Sequence, residues 1–152
     1  MKKVLAQSVI DSAVLFTFKD DEDNCHWEQK GFRLAKANDK QIHLANNAGL
    51  DCFKGMNIIV AGKMDKPDEY YQDMWADIGD GTELKRQNIS VEINGYKQTL
   101  YLYDKPQIRE EQLQFINYAI EQTSGRARAL REAGANVYVF SNYIISDVDF
   151  VI

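Results

Sequence analysis

Two cysteines and two prolines in 152 residues leave this chain with little covalent or conformational bracing. Cys25 and Cys52 allow one bridge at most, and so sparse a cysteine count reads as reduced side chains in a reducing compartment. At this length folding buries about 70% of the surface that the unfolded chain exposes, so a core needs neither a disulfide nor a structural metal. Long hydrophobic runs are missing too. The longest, such as Ala13-Val14-Leu15-Phe16 and Ile58-Ile59-Val60-Ala61, hold four residues, far short of the roughly 20 that span a bilayer. Lys2 and Lys3 imitate the start of a signal peptide, but Gln7, Ser8, Asp11 and Ser12 break up its apolar stretch. The expectation is a cytoplasmic protein with no membrane segment.

Signatures of cofactor and phosphate chemistry are equally scarce. Neither G-x-G-x-x-G nor G-x-x-x-x-G-K-[ST] occurs, and Gly79-Asp80-Gly81 stands among acids that repel phosphate. Cys25, His26, His43 and Cys52 are the soft metal ligands, yet no C-x-x-C or H-x-x-x-H spacing joins them. Adjacent Cys25 and His26 on an extended segment would point to opposite sides. Asp20 to Cys25 lacks the glycine of a calcium loop, and Asp77 to Glu83 lacks its alternating oxygen ligands. No metal and no cofactor is expected. Arg126, Arg128 and Arg131 are balanced by Glu121 and Glu132, and a net charge of −5 disfavours direct nucleic-acid binding.

What is present is a legible alternation of short elements and no internal repeat, which predicts a single α+β domain over residues 1–152. Strand character is read at Val4 to Ile10, Ala13 to Phe18, Trp27 to Ala35, Gln41 to Ala45 and Met56 to Gly62. The strongest local signal is Asn94-Gly95 between Ile89-Ser90-Val91-Glu92-Ile93 and Tyr96 to Tyr103. Asn-Gly accepts the positive φ values of a hairpin turn. Ile89, Val91 and Ile93 then share one face with Leu100 and Leu102. Asp104 suits a helix cap, and Ile108, Leu113, Ile116 and Ile120 recur near helical spacing after Pro106. Thr123-Ser124-Gly125 interrupts that helix, a second runs through Arg126 to Ala133, and Val137 to Ile145 and Val148 to Ile152 return to strand. The pattern predicts a largely antiparallel sheet packed against a C-terminal helix pair.

The charge is unevenly spread. Residues 20–28 carry five acids and no Lys or Arg, and residues 65–83 carry seven acids against Lys66. These two islands outweigh the net charge of the whole chain, so the remainder is basic. After Pro67, Glu69, Asp73, Asp77 and Asp80 fall at intervals of four, four and three, which a helix would line along one face. Tyr71, Met74 and Ile78 would take another face, with Tyr70 and Trp75 at its flanks. Gly79 and Gly81 suit a loop equally well. Such acids either solvate a surface or steer a basic protein onto it. The interleaved aromatics favour the second reading, because Tyr and Trp offer large contact area at small entropic cost.

The order of the Asn-Gly hairpin, the strand Lys97-Gln98-Thr99-Leu100-Tyr101-Leu102-Tyr103-Asp104 and two helices resembles small bacterial immunity proteins of polymorphic toxin and contact-dependent inhibition systems. The likeness spans Ile89 to Ala133, under a third of the chain. It implies a small, acidic, cytosolic, non-enzymatic antitoxin that blocks a toxin's active site or substrate surface. The charge pattern supplies the expected partner-binding residues: Glu69, Tyr70, Tyr71, Asp73, Trp75, Asp77 and Asp80, extended by Asp20, Asp21, Glu22 and Asp23. The expected partner is a basic protein such as a nuclease toxin domain, and a homodimer is compatible with the sequence. The alternatives are a small enzyme using Cys25 or Cys52 with His43, and a phage anti-defence protein that mimics nucleic acid.

Overall fold

The computed structural model describes residues 5–44, 52–125 and 135–143. Contacts divide the chain into two compact units, Met1–Gly62 with Ile120–Ser141, and Lys63–Ala119 with Asn142–Ile152. The Lys63–Ala119 part of the second unit therefore falls, in sequence, between two strands of the first. Among the described residues no helix is long and apolar enough to cross a membrane.

The first unit is built on a four-stranded parallel sheet, and this corrects the expectation of a largely antiparallel one. Its strands are β1 (Ala13–Phe16), β2 (Arg33–Leu34), β5 (Asn57–Ala61) and β8 (Val137–Phe140), in the order β2-β1-β5-β8. β1 runs parallel to β2 and β5, and β5 runs parallel to β8. The physical reason lies in the two four-residue apolar runs. A strand with one wet face alternates, whereas a strand buried on both faces is apolar throughout. All of Ala13–Phe16 and Ile58–Ala61 is buried. Ala13, Leu15, Ile59 and Ala61 join Ile10, Phe32 and Leu34 in one cluster, with Trp27, Tyr138 and Phe140 against it. Val14, Phe16, Ile58 and Val60 point the other way, and the Phe16 ring meets Phe53 edge-on at 4.9 Å. Thr17, next along the chain, is buried as well.

Two predicted strands in this unit take other forms. Val4 to Ile10 gives way to helix α1 (Gln7–Ser12), which buries Ile10 alone and is braced by Gln7 donating to Asp11 Oδ1 at 2.7 Å. Trp27 to Ala35 becomes a 3-10 turn at Glu28–Lys30, stopped by Gly31 at φ +83°, before the short β2. Helix α2 (Lys19–Cys25) precedes it, and β3 (Lys36–Ala37) pairs antiparallel with β4 (Lys40–Gln41).

The second unit contains α3 (Asp68–Ile78), β6 (Arg86–Ile93), β7 (Tyr96–Tyr103) and α4 (Pro106–Ser124), the last belonging to this unit through Ala119. The Asn-Gly hairpin forms as the sequence predicts: Asn94 and Gly95 take φ of +52° and +77°, and Ile93 pairs with Tyr96. Leu100 and Leu102 are buried. Asp104 closes the open end of the hairpin, its Oδ1 accepting from Lys85 N at 3.0 Å and its N–H donating to Lys85 O at 2.8 Å. The predicted helix through Arg126 to Ala133 and the strand Val148 to Ile152 lie outside the described residues.

Gly62 ends β5 at φ +113°, and a Cβ there would stand 2.9 Å from the Phe18 ring. Gly62→Ala is expected to cost about 1–3 kcal/mol, seen by circular dichroism as a thermal midpoint lower by ~2–4 °C per kcal/mol. An unchanged midpoint would show that Phe18 does not hold this position.

Candidate functional site

The acid-rich segment folds as a helix. Pro67, extended at φ −62° and ψ 154°, precedes α3, and Asp68 and Glu69 occupy its first turn, where carboxylates favour the helix dipole. One side of α3 faces inward. Tyr71 is fully buried in a cluster with Leu84, Tyr103 and Ile108, and Met74 and Trp75 pack against it. The Tyr71 ring lies edge-on to Tyr70 at 5.2 Å and tilted against Tyr103 at 4.9 Å.

Beneath the start of the helix, two carboxylates gather every element of the unit. Asp65 accepts four hydrogen bonds: from Tyr71 Oη at 2.7 Å and Lys66 N at 2.9 Å on Oδ1, and from Gln112 Nε2 at 2.6 Å and Arg86 Nη1 at 3.2 Å on Oδ2. Four is the full capacity of a carboxylate. Asp68 Oδ1 accepts from Arg86 Nη2 at 2.6 Å and Tyr103 Oη at 2.7 Å. Gln112, itself buried, completes the ring by accepting from Tyr103 N at 3.2 Å. The guanidinium also lies over the Tyr103 ring, 4.5 Å from its centroid. One cation thus joins β6 to the segment before α3 and to its first turn, while Gln112 brings in α4.

The protonation states follow from this packing. Burial, then the bond to Asp65, pushes the Tyr71 phenol far above its ordinary range. Burial alone would lower the pKa of Arg86, but contact with Tyr103, Asp65 and Asp68 outweighs it and keeps the guanidinium charged. The Tyr103 hydroxyl, followed by Arg86, holds the Asp68 carboxyl below its ordinary value of 3.8. Lys63, half-buried beside these groups, has its pKa lowered by burial against the opposing pull of Asp65.

These contacts sort the expected binding residues. Glu69, Asp73 and Asp77 are exposed along one face of α3, and among the described residues none makes an ion pair or side-chain hydrogen bond. Tyr70 flanks them at 36% exposure, its hydroxyl donating to Glu111 at 3.1 Å. Tyr71 is a correction: with no exposed surface it is a core residue, because its position on the helix faces the Tyr103 ring. Trp75 is half-buried. Its indole folds over Gly79, where a Cβ would stand 2.5 Å from the ring, and its Nε1 donates to Thr82 O at 2.8 Å. Asp80 lies beyond the helix and accepts from Thr82 N at 3.0 Å and Oγ1 at 2.5 Å, so it shapes the turn that holds the indole. Asp20, Asp21, Glu22 and Asp23 fall on α2, in the first unit.

The outward acids sit against the helix's own electrostatics. Asp73 and Asp77, four residues apart, repel by a few tenths of a kcal/mol. Asp77 also lies in a last turn with no basic residue, where a carboxylate opposes the dipole by roughly 0.3–1 kcal/mol. Cys25 is half-buried and Cys52 exposed, both as free thiols.

Sequence reasoning missed Arg86, Asp65, Tyr103 and Gln112 as a set. The signal was available only as composition: Arg86 opens a hairpin strand and Tyr103 closes its partner, and these two residues pair in register.

Arg86 and Asp65 have 18% and 19% of their side chains exposed, so breaking the pair leaves a largely buried charge. Asp65→Asn, which sets an amide donor among four donors, is expected to cost about 3–5 kcal/mol in urea unfolding. The Asp68 contribution is present above the unfolded carboxylate pKa and lost as pH falls through the lower folded value. Stability should therefore drop below about pH 4, and Asp68→Asn should flatten that acid limb; an identical limb in the variant would remove Asp68 from the account. No family model matches the sequence, and comparisons with curated proteins and with solved structures find no match either.

Proposed function

We propose that this chain is a non-catalytic inhibitor of the immunity-protein kind, which neutralises a basic protein partner through the outward face of α3. The observation that carries the proposal is the exposed row Glu69, Asp73 and Asp77, of which Asp73 and Asp77 are kept at a cost to the helix that bears them. Of the acids around it, Asp65 and Asp68 are neutralised within the clasp and Asp80 shapes a turn. The outward row has no such internal employment. A basic partner would relieve the repulsion within the row, and complementary charge across an interface speeds encounter and sets orientation.

Tyr70 is the most exposed aromatic of the expected set beside the row, and Ile78, 58% exposed, extends an apolar edge at the helix end. Occlusion is the mechanism: carboxylates occupy cationic groups that a nuclease would otherwise present to phosphates. Close charge pairs in such interfaces couple by about 1.5–7 kcal/mol.

The double reversal Asp73→Lys with Asp77→Lys is expected to abolish recovery of the partner with the purified chain. The thermal midpoint should stay within a few degrees, since neither carboxylate supports the fold. Association of the wild-type pair should slow as salt rises. A complex that survives the reversal, or an on-rate indifferent to ionic strength, would overturn the proposal.

A further inference from the structure

The ammonium of Lys66 lies between two aromatic rings, 5.0 Å from the centroid of Tyr70 and 4.6 Å from that of Phe115. Lys66 N donates to Asp65 Oδ1, and Pro67, which follows, biases Lys66 toward extended backbone. Glu111 accepts from the Tyr70 hydroxyl at 3.1 Å. The hydrogen bond from Tyr70 raises the phenol's pKa, so the ring remains a neutral phenol. Lys66, Tyr70, Glu111 and Phe115 all belong to the second unit, and Tyr70 adjoins the outward acids Glu69 and Asp73 on α3.

The geometry points to a cation-binding cleft between Tyr70 and Phe115 that accepts a lysine ammonium of the basic partner and that Lys66 occupies until the partner displaces it. This rests on the proposed function and names the chemical group that the α3 face recognises. Three observations support it. The cleft already holds an ammonium, which establishes that its size and polarity suit one. Two ring faces about an ammonium are the arrangement that recognises alkylammonium groups. The outward acids beside it raise the local concentration of cationic side chains. Lys66 then acts as an internal competitor: its departure opens the rings, and its own charge moves toward the carboxylates that the partner's other cations share.

An exposed cation–π contact corresponds to a factor of about two to five in affinity. The test titrates the full chain with a decalysine peptide at low ionic strength, reading the dissociation constant and the ring-proton shifts of Tyr70 and Phe115 by NMR. Lys66→Ala is expected to bind the peptide about two- to fivefold more tightly than wild type and to show peptide-induced shifts at both rings. Lys66→Ala combined with Phe115→Leu should lose that gain. If the double variant keeps it, the gain comes from removing a positive charge and the cleft is overturned. Should Phe115→Leu fail to fold, the ring shifts in Lys66→Ala decide alone, and unshifted rings overturn the inference. Binding that is lost on reversing Asp73 and Asp77 but indifferent to Lys66 would sink the cleft and leave the acidic face standing. Absence of decalysine binding by every form would remove both.

Discussion

A carboxylate whose four acceptor positions are all taken is the constraint on which the second unit depends. Asp65 receives Tyr71, Lys66, Gln112 and Arg86, and these four come from α3, the segment before it, α4 and β6. Each donor would lose its acceptor if the carboxylate left, and a buried polar group without a partner is expensive. Ion pairs in a protein interior owe much of their value to such completeness, because the desolvation of both charges must be offset by saturated bonding. The one incomplete position is Arg86 Nε, buried without an acceptor among the described residues. The clasp therefore gives the hairpin and the two helices of this unit one mutual geometry instead of several slippery ones.

That division of labour explains why one acidic segment holds two kinds of carboxylate. Asp65 and Asp68 both pair with Arg86, Asp65 largely buried and Asp68 at the surface, while Glu69, Asp73 and Asp77 make no such pair among the described residues. Counting charge along the chain treats them alike. The Arg86-bound pair anchors the N-terminal end of α3, and Trp75 over Gly79 anchors the other end, with Lys105 5.1 Å above the indole and its Nζ donating to Thr82 Oγ1 at 2.6 Å. A short helix fixed at both ends can carry a repelling row along its exposed side. The aromatic residues likewise divide: Tyr71 and Trp75 stabilise the helix, and Tyr70 alone of the three stands at the edge of the outward face.

Much of the second unit was legible locally. Asn94-Gly95 admits few backbone shapes other than a tight reverse turn, so β6 and β7 and their pairing follow from neighbouring residues. Pro106 and the spacing of Ile108, Ile116 and Ile120 mark α4, and all three isoleucines are buried. The parallel sheet was harder to see, although its mark was present. Ala13–Phe16 and Ile58–Ala61 were too short to cross a membrane, and their lack of alternation was the sign of strands covered on both faces. Parallel pairing joins residues far apart in sequence, as with Ile58 beside Val137, and no local pattern carries that information.

By itself the sequence determined the turn, the helix following it and the placement of charge, because these arise from the preferences of adjacent residues. Tertiary structure alone decided which strands became neighbours, which acids met Arg86, and which aromatic rings kept any accessible surface. The physical reason is reach: a carboxylate acquires its partner from whatever the fold carries to within about 3 Å. Asp65 finds Gln112 across 47 positions of chain, a separation at which composition and periodicity no longer constrain what touches what.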